Sequence, residues 1–368
     1  MTRALPCPPL EGIKIVDFSE LLPGPFLTQN LAELGASVIK IERPPGGDNA
    51  RNLGAGAFEA VNRGKQSLLA DLKDPSQRER VLALVASADI LVESYRPGVM
   101  ARLGLDAASL CKTYPRLIYV SLSGYGQTGP WSDLPGHDIN YLAAAGVLAV
   151  SGNPDGTPEQ SFGLPVADLC GAMYAMSSIL AALFQRHGTG QGQYLDVSLA
   201  DCALHWMNPR LGAYRAGDDR TVEAQRNATL VKPAYGAFRC RDGSYLSIAA
   251  LEDHFWTRLC AALDLAAVDT PGNGRYKARK AAADDINRCI AQAIEAMDSD
   301  EAFASLRRHD IPAAPVVSPG DLAGLPQFAS RDKFGQGDFL PFVRYPVAMT
   351  GVASADLGRA PALNDIDS

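Results

Sequence analysis

The chain has 368 residues, 47% of them hydrophobic, and a formal net charge of −7. That length provides for two domains, or for one large domain with an insertion, and the acidic balance speaks against general nucleic-acid binding, which needs a basic face. Seven scattered cysteines without a CxxC pair give no disulfide framework and no zinc site, and five isolated histidines give no His-based metal centre.

The opening MTRALPCPPLEG lacks the apolar run of a secretory leader, so a cytoplasmic protein is expected. Residues 13–18 (IKIVDF) read as a buried strand. LPGPFLTQNLAELGA follows as a helix, with prolines at its start and Gly35 as its stop. Residues 37–42 (SVIKIE) and 66–72 read as further strands, 76–87 has helical periodicity, and 90–93 and 117–122 are short buried strands. This alternation predicts a parallel sheet covered by helices. Residues 44–64 are glycine-rich and read as one long irregular loop of the kind that carries function. Helices are expected at 139–151 and 169–186. The second is the longest apolar stretch, too short for a confident membrane span, and is read as a buried helix, with no membrane partner. The turn GTGQGQ leads into a strand at 194–197.

Residues 215–228 (RAGDDRTVEAQRNA) read as a polar linker. A second unit follows, with a strand at 245–249, helices at 252–263, 281–297 and 301–309, and a strand at 314–317. The expected organisation is a large α/β domain over 1–215, a smaller α+β domain over 225–325, and a return to the large domain over 330–368 that contains the strand-like FLPFVRYPV.

Three residues attract chemical interest, and each has a plain structural alternative. Asp168 stands just before a long helix and reads first as its N-cap, a role worth about 1 kcal/mol. His137 reads as a loop histidine bonding backbone. Glu252 falls in the first turn of a helix, where acids are favoured by the helix dipole. Gly124, Gly126 and Gly129 match G-x-G-x-x-G, but Pro130 and Trp131 follow where a pyrophosphate-binding helix should begin, so a tight turn or close ligand approach is the better reading.

The segment LEGIKIVDFSELLPGPFLTQNLAELGASVIKIERPPGGD resembles the opening of the class III CoA-transferases (CaiB/BaiF type), a family that includes the α-methylacyl-CoA racemases. The resemblance continues through ADLK, ESYRPGVMARLGL, LSGYGQTGP, GHDINYLA and PVADLCG, in the family's order and spacing. It implies a Rossmann-like large domain with a smaller α+β domain, in an interlocked homodimer whose active site lies at the domain boundary. It also implies an enzyme acting on an acyl-CoA substrate, with coenzyme A part of that thioester and no tightly bound cofactor or metal. Asp168 in PVADLCG matches the aspartate on which transferases form a mixed anhydride and then an aspartyl-CoA thioester. GHDINY and ALEDHFW, with no glycine-rich loop in the smaller domain, resemble the racemase branch instead. There His137 and Asp168 are the two bases that exchange the α-proton through an enolate, and Glu252 tunes His137. The racemase is the leading expectation, and transfer through Asp168 is the alternative. Arg43, Ala70, Leu72, Lys73, Ser94, Tyr95, Arg96, Arg102, Gly136, Asp138, Asn140 and Tyr141 are the positions the resemblance assigns to the CoA thioester. The start of the helix near residue 139 is expected to offer backbone N–H groups to the enolate oxygen.

Overall fold

The computed structural model describes residues 7–153, 156–159, 163–335, 342–353 and 355–367. The chain forms two compact units. The first comprises Met1–Ala149, Glu159–Ala213 and Pro326–Ser368; the second comprises Val150–Pro158 and Tyr214–Leu325.

The first unit is built on six parallel strands: β1 (Lys14–Asp17), β2 (Ser37–Glu42), β3 (Gln66–Leu69), β4 (Ile90–Glu93), β5 (Ile118–Ser123) and β6 (Tyr194–Ser198). Their spatial order is β3-β2-β1-β4-β5-β6. Successive residues of one strand enter cores on opposite faces. Ile15, Val92 and Val120 pack on one side, and Val16, Leu91 and Tyr119 pack on the other. A sheet covered on both faces needs continuous apolar runs, which is why these strands show no alternation in the sequence. The 24-residue helix Val166–Thr189 is long and apolar enough to cross a membrane, yet it packs on β5 and β6 through Ala167, Ala172, Ala175 and Ile179. Arg186 in its last turn is buried and tied to Asp89 at 2.8 Å and to the carbonyl of Arg116 at 3.0 Å.

The strand order reverses between β1 and β4, and in open parallel sheets ligands bind at the carboxyl ends of the strands at such a point. Buried charges fix the loop that leaves β1 there. Lys40 pairs with Asp48 at 2.9 Å and donates to the carbonyl of Ser19 at 2.5 Å. Asp48 accepts the N–H of Leu21 at 3.0 Å, and Asp17 accepts that of Ser19 at 2.9 Å. Lys65 reaches Asp17 at 3.3 Å, Thr28 at 2.7 Å and Asn62 at 2.9 Å. So clamped, Leu21 takes a φ of +66°, the left-handed region that a leucine normally avoids.

Several expectations are corrected. Residues 44–64 are not one irregular loop: a 3-10 turn at Asn49–Asn52 and a helix at Ala55–Asn62 occupy it, with the Asp48 carboxylate accepting the N–H of Ala50 at 2.9 Å. The helix expected at 139–151 is two pieces, Asp138–Ala144 and Val147–Val150, separated where Gly146 takes a φ of +79°. The linker at 215–228 holds the start of a helix, Val222–Leu230, capped by the Thr221 hydroxyl. Of FLPFVRYPV, residues 339–341 lie outside the described residues, and the described part makes one isolated bridge, Val343 with Phe334. The last turn of the chain straps the edge of the sheet: Asn364 and Asp365 side chains accept the N–H groups of Leu69 and Ser67 on β3, at 2.8 and 2.6 Å.

In the second unit, strands Tyr235–Arg239, Tyr245–Ala249 and Ala313–Pro315 form an antiparallel sheet. Helices Asp253–Leu263, Ala283–Glu295 and Ser299–Arg308 cover it, burying Trp256, Leu259, Ile286, Ile290, Ile294 and Leu306. Arg279, also fully buried, donates to the carbonyls of Leu251 and Asn273 and pairs with Asp253 at 3.0 Å, which pins the turn that carries Glu252.

Removing one member of a fully buried ion pair strands the other charge, at about 3–5 kcal/mol. Lys40→Met is expected to lower the denaturation midpoint accordingly, since Lys40 and Asp48 are both inaccessible to solvent. An unchanged urea midpoint would show that the clamp on the β1 loop is not needed for folding.

Candidate active site

A cavity of about 800 Å³ opens at the carboxyl ends of β1, β4 and β5. That volume suits an organic ligand of substantial size. The described residues that line it belong to the first unit. The loop after β1 gives Glu20, Leu21 and Pro23, the loop after β4 gives Ser94, Tyr95 and Arg96, and the end of β5 gives Ser123 and Gly124. The segment 132–141 adds Ser132, Gly136, His137, Asn140 and Tyr141, and Asp168 comes from its own helix.

Asp168 occupies the third position of the helix Val166–Thr189, half-buried. The expectation that it caps this helix is corrected. Pro165 precedes the helix and offers no side-chain acceptor. The orphan N–H groups of the first turn are satisfied instead by Asp138, whose Oδ1 accepts from Ala167 at 2.6 Å and from Asp168 at 3.2 Å. The Asp168 carboxyl is thereby left facing the cavity, and among the described residues no hydrogen bond reaches it. Burial pushes its pKa up to about 7, and the like charge of Asp138 adds to the rise.

Tyr141 stands beside it. Burial, then the charge of Asp168, pushes its phenol up to about 12. Its hydroxyl donates to the carbonyl of Gly136 at 2.6 Å, and its ring meets Tyr125 edge-on at 5.3 Å. Two glycines exist for this ring: a Cβ on Gly124 would stand 2.4 Å from Tyr141 Cε1, and one on Gly136 would stand 2.7 Å from the same atom. The GYGQTG motif is thus a place of close packing rather than a dinucleotide cradle. Gly171 in PVADLCG serves in the same way, letting the Asp168 helix approach Leu199, which a Cβ would meet at 2.2 Å.

His137 is exposed and precedes the helix Asp138–Ala144. Its N–H is accepted by the Asn140 side chain at 3.0 Å. That helix has seven residues and an acid at its first position, so it is a poor source of positive dipole for an oxyanion, against expectation. Glu252 belongs to the second unit, where it occupies the N-cap of Asp253–Leu263 without a side-chain capping bond. Of the positions assigned to the thioester, Ser94, Tyr95, Arg96, Gly136, Asn140 and Tyr141 line the cavity. Arg43, Lys73 and Arg102 are exposed outside its lining. The side chains of Ala70 and Leu72, just after β3, are buried, 4% and 9% exposed, in the core with Val16, Leu91 and Tyr119. Asp138 engages backbone through its Oδ1.

Sequence reasoning missed Glu20, Leu21, Leu53 and Leu199 in the wall. Glu20 and Leu21 carried one usable signal, their place directly after the first strand of a parallel sheet. The buried Glu93, last in β4, was also missed. Its carboxylate accepts the N–H of Tyr95 at 2.8 Å and so shapes the 94–96 turn, and burial pushes it up to about 7. Among the described residues no group of three or more His, Cys, Asp and Glu is placed to hold a metal ion.

The fold and cavity together define a doubly wound α/β protein with a carboxyl group in the wall of a large cavity at its switch point. The chain belongs to the CoA-transferase family III, whose pattern matches residues 10–365, and it is an enzyme of that family. It is 33% identical over 357 residues to the acetyl-CoA:oxalate CoA-transferase of Acetobacter aceti, covering 95% of this chain and 91% of that protein. It is 32% identical over 362 residues to the succinate–glutarate CoA-transferase of Agrobacterium fabrum, covering 93% and 90%. The crystal structure of a CaiB/BaiF family protein from Brucella suis superposes with a TM-score of 0.87 at 31% identity, covering 98% of this chain and 97% of that one. The Acetobacter and Agrobacterium relatives are named as transferases, which favours the alternative reading of Asp168 over the racemase.

The Tyr141 contacts make one point testable. Gly124→Ala is expected to destabilise the protein by about 1–3 kcal/mol through overpacking, and Tyr141→Leu in the same chain is expected to recover part of the loss. Thermal denaturation of the single and double variants measures both, and an unchanged Tm in Gly124→Ala would contradict the packing account.

Proposed function

We propose that the protein transfers coenzyme A between carboxylic acids through covalent intermediates on Asp168. The observation that carries this reading is the Asp168 carboxyl, turned into the cavity while Asp138 caps its helix. A nucleophile must be both accessible and undistracted. Had Asp168 been its own helix cap, its oxygens would be engaged with backbone.

The ionised carboxylate attacks the thioester carbonyl of the donor and expels CoA thiolate, leaving a mixed anhydride of Asp168 with the donor acid. The thiolate attacks the aspartyl carbonyl of that anhydride, releases the donor carboxylate and leaves an aspartyl-CoA thioester. The acceptor carboxylate attacks this thioester and expels thiolate again, with a second anhydride formed. Attack of the thiolate on the acceptor's carbonyl yields the new acyl-CoA and restores Asp168. No net proton transfer is required, so the protein's task is to place and tune one carboxyl group. Burial serves that task, because a desolvated carboxylate is a better nucleophile than a hydrated one. The named relatives act on oxalate, succinate and glutarate, and we take small carboxylic acids as the acyl class. Arg96, with the hydroxyls of Ser94, Ser123 and Ser132, gives the cavity wall the polar character that such acids need.

The assembly is proposed to be a homodimer. Met173, Leu180 and Phe184 repeat at seven and four residues along one face of the Asp168 helix, and all three are exposed, Phe184 at 84%. A face of this kind suits burial against a second copy.

The racemase remains a second reading on one observation: His137 and Asp168 line the same cavity. Uptake of deuterium at the α-carbon of a 2-methylacyl-CoA would support it, and its absence over several acyl chains would remove it.

Asp168→Ala is expected to abolish transfer, and hydroxylamine during turnover is expected to mark Asp168 in the wild type. A labelled donor that transfers CoA with Asp168 unmodified would defeat the covalent route. The pH dependence has a fixed sign. The reactive form is ionised, so kcat/KM for the thioester should rise about tenfold per pH unit below 7 and level off above it. Asp138→Asn keeps an oxygen acceptor for the helix but removes the like charge, so this acid limb should move to lower pH. A limb that stays in place would mean that Asp138 does not tune Asp168.

A further inference from the structure

Glu93 has no part in the transfer chemistry above, yet it is a carboxylate sealed at the end of β4, 3% exposed. Among the described residues no cation pairs with it. The titratable groups that face it, Asp196 and the phenols of Tyr95, Tyr119 and Tyr194, are all acids. An acid so placed costs the fold stability whenever it is ionised. Its bonds show what it holds. Its Oε2 accepts the N–H of Tyr95 at 2.8 Å, and the Ser121 hydroxyl donates to it from β5. Ser121 in turn accepts from the Tyr194 hydroxyl on β6 at 3.3 Å. The turn that leaves β4 is thus tied sideways to the next two strands. Ser94, the first residue of that turn, accepts the N–H of Glu20 at 3.1 Å. This bond crosses the switch point and joins the β4 loop to the β1 loop, and both loops are cavity wall.

We infer that Glu93 is a positioning residue for the thioester cavity: it fixes the 94–96 turn so that Ser94 holds the β1 loop and the two walls keep one spacing. The inference rests on the proposed CoA-thioester function. The surroundings decide between two roles for such an acid. An acid kept for the fold alone would stand opposite a cation, as Asp17 and Asp48 stand opposite lysines. Glu93 has no such partner, and the N–H it takes belongs to the cavity wall.

The test combines transfer kinetics, calorimetric titration with coenzyme A and thermal denaturation, all on the full-length protein. Glu93→Ala leaves the Tyr95 N–H without its acceptor, so KM for the thioester should rise about tenfold with kcat within about threefold. CoA affinity should fall in step. Ser94→Ala breaks the same joint from the other side, and the double variant should bind no more weakly than Glu93→Ala alone. Glu93→Gln keeps an oxygen for Tyr95 but a weaker one, so KM should rise about threefold. The same change removes a buried charge that has no counter-charge, so Tm should rise by about 2 °C above pH 7. Burial pushes the folded acid up to about 7 from its ordinary value of 4.5, so the gain should fade as pH falls from 7 toward 4.5. Poorer binding with higher Tm is a combination that a merely structural acid would not give. A Tm in Glu93→Gln that drops at pH 8 overturns the inference, as does wild-type KM in Glu93→Ala. So do single effects that multiply in the double variant. Should Glu93→Ala fail to fold, Glu93→Gln decides by the same two readings. A wild type that binds CoA but transfers nothing overturns only the transfer reading, and the CoA titrations then decide the inference. One that binds no CoA overturns both.

Discussion

Two lysine–aspartate pairs without access to water hold the β1 loop in place, and the cavity depends on that loop. Lys40 with Asp48 and Lys65 with Asp17 lie at the carboxyl ends of β1 and β2, where the chain must leave the sheet and turn back into a helix. Burial alone would neutralise such groups. Burial draws Lys65 down to about 7, whereas Lys65 and Lys40 hold Asp17 below its ordinary range against the same penalty. The pairs persist because each charge also bonds backbone or neutral side chains: Ser19, Leu21, Pro25, Thr28 and Asn62. What they secure is a conformation that the local sequence does not favour, a leucine in the left-handed region with a glutamate beside it. Without that turn the cavity would lack its first wall.

The same logic governs the Asp168 carboxyl. Two aspartates, 138 and 168, stand close enough for one to raise the pKa of the other, an arrangement that disfavours two charges at once. Asp138 is compensated by the N–H groups it accepts at the head of the Asp168 helix. Asp168 is not compensated, and so it carries the strain of the pair. Division of labour between the two acids therefore follows from which one meets backbone. The Tyr141 ring, seated against Gly124 and Gly136, closes the site on the side of β5.

Much of the first unit was legible in the amino-acid pattern. Strands at 13–18, 37–42 and 90–93 are short apolar runs between helical stretches, and a doubly covered sheet produces that signal. Asp168 and His137 stood in motifs and do share a cavity wall. What could not be read were features set by contacts distant in sequence. The cap of the Asp168 helix comes from thirty residues earlier, so a local rule assigned the cap to Asp168 itself. Glu20 and Leu21 have ordinary side chains in an extraordinary backbone, imposed by Asp48. The helix Ala55–Asn62 was hidden by Gly54, Gly56 and Gly64, which mark its borders and its first turn but read as a loop. Ala70 and Leu72 sat in a motif, and motif membership does not say which atoms face a ligand.

The strap over β3 has a consequence outside catalysis. Outer strands expose unpaired amides that invite a neighbouring chain to add itself. Here Asn364 and Asp365 occupy two of those amides, with side chains that cannot themselves propagate a ladder. Losing this strap would remove no part of the cavity wall. It would bare the amides of Ser67 and Leu69 to any passing strand.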